Sequence, residues 1–336
     1  MFNKNQNLII KYKNKIIYKT TNTQSLYLYP LSLKDYIDRL KDLLPIKVDI
    51  IKLDDSIDYN KYFNNKYFNN LLCAEIHIES KEDIKSIKGL ISLFKRKKIS
   101  LTIKDLISLP ISFIKEISKD INYFKIYWNY KDIDKFNKRL DIINKFRKKE
   151  SLVHIKSYLD LKEINNYEEY IKVFNKYNID IYQLSKELQP LDKENIQIDS
   201  KYEKEIRRLE DKYSNFISVK NLKELYYPRF ELDERNSRNC IACHLKPYLY
   251  NDILLPCKVD KMIKNIDEWG IKDLTNLDKF NRCGIECDDC ASIYENDILS
   301  EILKIIENKE NIEVYLEVND KKWFLYWVKA VLVKLL

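Results

Sequence analysis

Six of the seven cysteines in this chain of 336 residues lie close together in the sequence. They are Cys240, Cys243, Cys257, Cys283, Cys287 and Cys290, and they form the pattern C-x2-C-x13-C-x25-C-x3-C-x2-C. Two thiolates separated by two or three residues can bind one metal without strain, and thiolates from more distant segments complete the ligand shell. The spacing therefore predicts one metal site, or a pair of sites, to which all six cysteines contribute.

The number of thiolates does not decide which metal they bind. Zinc with four thiolate ligands leaves two cysteines over. One four-iron cluster also leaves two over, whereas two such clusters need at least one ligand that is not cysteine. On ligand chemistry alone, zinc and iron–sulfur clusters stay equally open.

Glycine and charge exclude several other classes of site. The three glycines, Gly89, Gly270 and Gly284, are too few and too far apart for a dinucleotide-binding fingerprint or a P-loop. The net charge of +8 is small beside 60 basic and 52 acidic residues. The basic clusters of the chain, Lys95–Lys98 and Arg147–Lys149, fall at predicted helix C-termini, where cations interact favourably with the helix dipole. Nucleic acid is therefore disfavoured as a partner, and a zinc-stabilised nucleic-acid-binding module is kept only as an alternative.

A long segment of alternating strand and helix patterns precedes the cysteines. Its short apolar runs are Ile46–Leu53, Leu72–Ile78, Ile99–Ile103, Tyr123–Trp128, Leu152–Leu159 and Ile179–Leu184. Between them, apolar residues recur at helical spacing, as in the stripe of Phe136, Leu140 and Ile143. Several runs are apolar on both faces, as strands of a parallel sheet covered by helices are. The pattern predicts an α/β fold with a parallel sheet that is either open or curved into a partial β/α barrel, followed by a small C-terminal cysteine-rich domain.

The predicted domains follow from these changes in pattern. Residues 1–45 form an extension with a hairpin, Leu8–Tyr12 and Lys15–Thr20, and a helix, Leu33–Leu44. Residues 46–190 form the partial barrel, 191–230 a helical linker and 231–300 the cysteine-rich domain. Residues 301–336 are predicted to be a strand and a helix, with the apolar segment Trp323–Leu336 as the buried helix.

The sequence also bears on location. No stretch reaches the roughly 20 apolar residues of a membrane span, and the polar segment Met1–Lys15 has no apolar run suited to a signal peptide. A cytoplasmic protein is expected, and in that compartment clustered cysteines hold metal more often than disulfides. The oligomeric state stays open.

The order of the parts resembles that of a radical SAM protein with a C-terminal auxiliary iron–sulfur domain of the SPASM or twitch kind. Cys240 and Cys257 have the spacing that opens a SPASM domain, and the stretch Tyr248–Cys257 has the Leu-Pro-Cys ending. Asp252 stands at the position of the turn glycine, and Asn251-Asp252 can still turn a hairpin because both residues tolerate positive φ. The resemblance implies a partial TIM-type, radical SAM-like β/α barrel. It also implies one or two 4Fe-4S clusters bound by the clustered cysteines, with zinc as the alternative.

The catalytic motif of that family is absent from its expected place. A radical SAM enzyme carries three cysteines after its first barrel strand, but the segment Asp54–Phe63 after the first predicted strand has none. The group Cys283–Cys290 has the C-x3-C-x2-C spacing, yet only 46 residues follow it, which are too few for a barrel. The chain resembles a degenerate member of the family. The resemblance implies a pseudoenzyme that acts as a binding or partner subunit, with a protein or peptide partner in peptide modification. An enzyme that uses the C-terminal cluster is the alternative.

Other candidate residues lie on the second predicted barrel strand. His77 is predicted near its carboxyl end, with Glu75 and Glu79 at alternate positions, and ligands bind at that edge of such folds. The commoner role for such a histidine is a half-buried, hydrogen-bonded side chain. Cys73 and His154 are both predicted to be core residues.

Overall fold

The computed structural model describes the central part of the chain and several shorter segments. The described residues are 6–12, 15–19, 31, 35, 39, 44–54, 56–128, 132–158, 163, 165–185, 204, 205, 208, 209, 212, 213, 217–220, 245–256, 270, 272, 312–318 and 321–328. The six clustered cysteines lie outside these residues, and so does most of the predicted helix Leu33–Leu44.

The described strands form two sheets. They are β1 (Gln6–Tyr12), β2 (Lys15–Lys19), β3 (Lys47–Lys52), β4 (Cys73–Ile78), β5 (Lys98–Ile103), β6 (Tyr123–Trp128), β7 (Leu152–Tyr158), β8 (Ile181–Ser185), β9 (Ile217–Lys220), β10 (Tyr248–Tyr250), β11 (Ile253–Leu255), β12 (Ile312–Val318) and β13 (Lys321–Val328). The smaller sheet has the order β13-β12-β1-β2 and is antiparallel. The larger has the order β11-β10-β3-β4-β5-β6-β7-β8-β9, with eight parallel strands from β10 to β9. This sheet confirms the predicted α/β class and the partial β/α barrel.

Helices follow most of the parallel strands. The α-helices are α1 (Tyr59–Phe63), α2 (Ile84–Leu93), α3 (Ile111–Ile117), α4 (Ile133–Phe146) and α5 (Tyr167–Lys176), and 3-10 turns span Lys66–Phe68 and Lys81–Asp83. The longest, α4, begins where the Asp132 carboxylate accepts a hydrogen bond of 3.0 Å from the backbone N–H of Lys135. Among the described residues, no helix is long and apolar enough to cross a membrane.

The chain divides into two compact units, and the division passes through β4 between Ile76 and His77. The β5–β9 unit comprises residues 77–91 and 99–230, and the β3–β10 unit comprises residues 2–76, 92–98 and 231–336.

In the β5–β9 unit, α4 and α5 cover one face of the strands with aromatic side chains. The ring of Trp128 on β6 lies 4.6 Å from that of Phe136 on α4 and 5.9 Å from that of Phe174 on α5. Phe174 lies in turn 5.2 Å from Tyr182 on β8. All four side chains are buried, and each contributes about 1.5–3 kcal/mol through the apolar surface removed from water. The predicted helical stripes are therefore core faces.

One element prediction outside the barrel core was wrong. Residues 323–328, the first part of the predicted helix Trp323–Leu336, belong to strand β13, which pairs antiparallel with β12. A continuous apolar run suits a buried helix or a strand equally. Here only two residues separate β12 from β13, and antiparallel pairing with β12 stabilises the run as a strand. The linker also contains a strand that was not predicted, β9, which pairs parallel with β8 and sets Ile217 opposite Tyr182.

A polar cluster attaches α5 to a later segment of the same unit. The Glu168 carboxylate accepts hydrogen bonds from Arg208 at 2.8 Å, from Lys212 at 2.7 Å and from Tyr213 at 3.0 Å. The bonds from Lys212, Arg208 and Tyr213, in that order of strength, hold the pKa of Glu168 well below its ordinary value.

This cluster predicts a pH-dependent attachment of α5. Because the folded-state pKa is depressed, the stabilisation is complete above the ordinary value of 4.5 and is lost as the pH falls below it. We expect Glu168→Gln to increase amide hydrogen exchange across α5 near pH 7, and the difference from the wild type to shrink as the pH falls to about 3. The exposed neighbour Glu169→Gln is the matched control and leaves exchange unchanged. A constant difference across the whole pH range would contradict the prediction.

Candidate functional site

A group of charged side chains is buried on strands β3 and β4. The parallel register sets Lys47 opposite Cys73 and Asp49 opposite Glu75, so these alternate residues share one face of the sheet. Lys47 and Asp49 are each 2% exposed and Glu75 is 7% exposed. Burial of three ionisable groups at this depth is costly unless their charges compensate one another.

The charges of this group do compensate. The Lys47 ammonium donates a hydrogen bond to Glu75 Oε2, and its Nζ lies 3.7 Å from Asp49 Oδ1. At the edge of the group, Nζ of Lys246 lies 3.8 Å from Asp49 Oδ2. Two cations thus face two carboxylates. We call Lys47, Asp49, Glu75 and Lys246 the buried ion cluster.

The same strands offer a set of metal-ligand atoms. Asp49 and Glu75 provide carboxylate oxygens, and oxygen donors of this kind suit a divalent cation. The ammonium of Lys47, however, already supplies the cation between the two carboxylates. These residues therefore fit an internal ion pair better than an open metal site. His77 is buried, as the commoner of its two predicted roles requires, and Glu79 is exposed.

Cys73, the cysteine outside the cluster, is a core residue. It is completely buried at the start of β4, and this burial raises the pKa of its thiol to about 12. A thiol that stays protonated at neutral pH is neither a nucleophile nor a ready metal ligand. The predicted core role of Cys73 is confirmed.

The hairpin β10–β11 connects the sheet to the cysteine-bearing segments. Its turn contains Asn251 at φ 55°, in the left-handed conformation that asparagine tolerates. The hairpin is anchored on β3, because Tyr248 pairs with Asp49 and the Asn251 N–H donates to the Lys52 carbonyl at 3.1 Å. The turn predicted at Asn251-Asp252 is therefore confirmed.

Two cysteines border this hairpin in sequence. The described segment begins at Leu245, two residues after Cys243, and ends at Pro256, immediately before Cys257. Leu245 and Pro256 are both buried. All six cysteines themselves lie outside the described residues, so their convergence on a metal stays a prediction.

The loop after β3 is occupied by aromatic side chains. The Asp54 N–H donates to the Tyr59 hydroxyl at 3.1 Å, which ties the loop to the start of α1. The ring of Phe63 lies 4.9 Å from that of Phe68 and 4.9 Å from that of Phe94. Burial raises the pKa of the Tyr62 hydroxyl far above its ordinary value. Phenol and phenyl groups, rather than thiolates, thus fill the described loop at the carboxyl end of β3.

In the β5–β9 unit, the strand face opposite α4 and α5 is polar. Register places Thr102 beside Lys125 and Lys125 beside His154. His154 Nδ1 and the Tyr123 hydroxyl share a hydrogen bond of 2.5 Å. His154 is buried, which confirms its predicted place in the core. Lys125 and Tyr127 were not among the predicted site residues, although their alternation with apolar neighbours on β6 indicates this face.

The sheet and its helices define the class of protein: a mixed α/β protein with a parallel sheet of the partial, radical SAM-like β/α barrel type. The chain matches no protein-family model and no curated protein.

Among solved structures, the chain is similar to SuiB of Streptococcus suis. It aligns with SuiB at a TM-score of 0.50, over 73% of this chain and 68% of that one. It aligns with SuiB bound to S-adenosylmethionine at a TM-score of 0.52, over 81% and 79%. It aligns with SuiB bound to the precursor peptide SuiA at 0.49, over 80% and 70%. The sequence identity is 14% in each case. The alignments at TM-scores of 0.50 and 0.52 establish the fold and no activity.

Proposed function

We propose that this chain is an iron–sulfur protein of radical SAM-like fold that acts as a binding or partner subunit, without radical SAM catalysis. One observation carries the proposal. In the fold shared with SuiB, the loop after β3 contains no cysteine, and its described residues pack as an aromatic cluster around Phe63. A cluster with one open iron site needs three thiolates on one short loop, and the thiolates of this chain lie elsewhere.

The proposed metal centre belongs to the C-terminal segment. The hairpin β10–β11 supports a SPASM-like arrangement, because it has the turn that the resemblance requires and its two ends border Cys243 and Cys257. An antiparallel hairpin brings its two ends side by side, which supports the proposal that Cys243 and Cys257 bind the same metal centre. Cys240, Cys283, Cys287 and Cys290 are proposed to complete one or two 4Fe-4S clusters.

The proposed partner is a peptide or a protein. Half-buried polar side chains of the β5–β9 unit, Lys125, Tyr127 and Lys156, keep contact with solvent on the face away from the helices. Such groups can bind the polar groups of an extended chain, which apolar walls cannot satisfy. The family resemblance points to the same class of partner.

Metal analysis after anaerobic purification tests the proposal. We expect a brown protein that contains iron and acid-labile sulfide, and that does not cleave S-adenosylmethionine when it is reduced. A colourless protein with zinc alone would exclude the iron–sulfur centre. If that protein also bound nucleic acid with a steep salt dependence, the zinc-stabilised module would replace the proposal. Reductive cleavage of S-adenosylmethionine with the cluster intact would favour the enzyme alternative.

A further inference from the structure

The chain segment that precedes β10 is joined to β3 through its backbone. The N–H of Ile46 donates to the Leu245 carbonyl at 2.9 Å, and the N–H of Asp49 donates to the Pro247 carbonyl at 3.1 Å. Every residue except proline offers the same backbone donor and acceptor, so bonds of this kind do not distinguish one register from another. Contacts of particular side chains must therefore fix the position of this segment on β3.

The side chain of Lys246 makes the charged contact between this segment and β3. Its Nζ lies 3.8 Å from Asp49 Oδ2, and the side chain is 21% exposed. On the other side of the carboxylate, Asp49 Oδ1 lies 3.7 Å from Nζ of Lys47. Oδ1 is buried and has no hydrogen-bond partner among the residues that the structure describes. The charge of Asp49 is therefore balanced by two ammonium groups, one on β3 itself and one on the segment that docks against it.

The docked segment needs the charge of Lys246. Lys47 donates its hydrogen bond to Glu75 and only approaches Asp49, so its ammonium is shared by two carboxylates. A segment docked without the Lys246 ammonium would bury Asp49, which is 2% exposed, beside this shared cation alone. Water can solvate the carboxylate only if the segment moves away, so loss of the Lys246 charge favours the undocked state.

The same contact selects the register of the hairpin β10–β11. Tyr248, two residues after Lys246, pairs with Asp49 in the parallel register. A shift by one residue would turn every side chain of β10 to the opposite face of the sheet. It would also move Lys246 about 3.3 Å along β3, away from Asp49. The ion pair between Lys246 and Asp49 therefore distinguishes the observed register from its neighbours.

This hairpin lies in the sequence between two of the proposed metal ligands. Cys243 precedes Lys246 by three residues, and Cys257 directly follows Pro256, the last residue of the described segment. Six thiolates are a donor set that fits iron or zinc. A docked hairpin orders the chain at both of its ends, so docking lowers the conformational entropy that the adjacent ligands lose when they bind a metal.

We propose that Lys246 is a positioning residue, which couples docking of the hairpin on Asp49 to binding of metal by the clustered cysteines. The coupling is reciprocal: the metal stabilises the docked hairpin by the same factor by which docking tightens the metal. Removal of the metal is therefore expected to increase amide hydrogen exchange in β10, β11 and β3. The metal half of this proposal rests on the proposed function, whereas docking through Lys246 and Asp49 does not.

The test measures release of iron to a chelator and amide hydrogen exchange in the full, anaerobically purified chain. We expect Lys246→Met to release iron at least about 10-fold faster, as for loss of a residue that orients a metal ligand, and to exchange the amides of residues 248–255 faster. Lys246→Arg keeps the charge and is expected to restore both rates toward those of the wild type. The matched control is Lys272→Met, which removes an exposed pair with Asp252 of the same hairpin at 3.8 Å and should change neither rate.

Each outcome decides a separate point. Equal iron release and equal exchange in Lys246→Met and Lys272→Met would overturn the proposal. Faster exchange with unchanged iron release would support the docking role and overturn its coupling to the metal. A wild type without bound metal would contradict the proposed function, and the exchange of the two variants would still decide the docking role. Circular dichroism establishes whether Lys246→Met folds, and Lys246→Gln replaces it if it does not.

Discussion

Lys47→Met is expected to lower the free energy of unfolding by about 3–5 kcal/mol, the cost of removing one partner from a buried ion pair. The methionine side chain has a volume close to that of lysine, so the effect arises from charge and not from a cavity. Without the ammonium, Glu75 loses its hydrogen-bonded cation and faces Asp49 across the strand pair. Two buried carboxylates in this position repel each other and have lost the water that would solvate them.

Denaturant unfolding followed by circular dichroism measures this effect. The control is Lys88→Met, which removes an exposed pair with Glu116 at 2.7 Å and is expected to cost less than about 1 kcal/mol. The double variant Lys47→Met with Glu75→Met removes both charges and should recover much of the loss, because a buried pair replaced by apolar residues is often neutral. A loss in Lys47→Met no larger than in Lys88→Met would show that the buried ion cluster does not hold β3 and β4 together.

Cys257→Ser is expected to remove most of the iron from the protein and to destabilise the C-terminal segment more than substitution of any other cysteine. Loss of a residue that only orients a metal ligand lowers metal affinity about 10- to 100-fold, and loss of a ligand lowers the affinity further. Cys257 directly follows the buried Pro256. A ligand next to an anchored residue loses less conformational entropy when it binds a metal, so its substitution is expected to cost the most.

Iron and sulfide per chain and the melting profile of the anaerobic protein measure the effect. Cys73→Ala is the matched control: this buried cysteine lies outside the cluster, and its loss should leave the iron content unchanged. Metal content and melting of Cys257→Ser equal to those of the wild type would contradict the assignment of this residue as a ligand.

The barrel strands were predictable because burial on both faces requires a continuous run of apolar residues, which is visible in the sequence. Tyr123–Trp128 is a strand with the predicted bounds, and the other five predicted barrel strands agree with the structure within two residues at each end. Elements whose state depends on a partner were harder to predict. Strand β13 has an apolar run that a helix could equally bury, and β9 is a strand of four residues. In both, pairing with a neighbouring strand decides the conformation.

The same distinction between local sequence and tertiary pairing applies to the residues of the candidate site. The clustering of cysteines between 240 and 290, and their absence after β3, belong to the sequence alone, because ligand type and spacing along one chain need no coordinates. The pairing of Lys47 with Glu75, 28 residues away, and the approach of Lys246 to Asp49 belong to the tertiary structure. Parallel strands are joined through helices, so the register that brings such residues together is set by packing across the sheet and not by neighbouring residues.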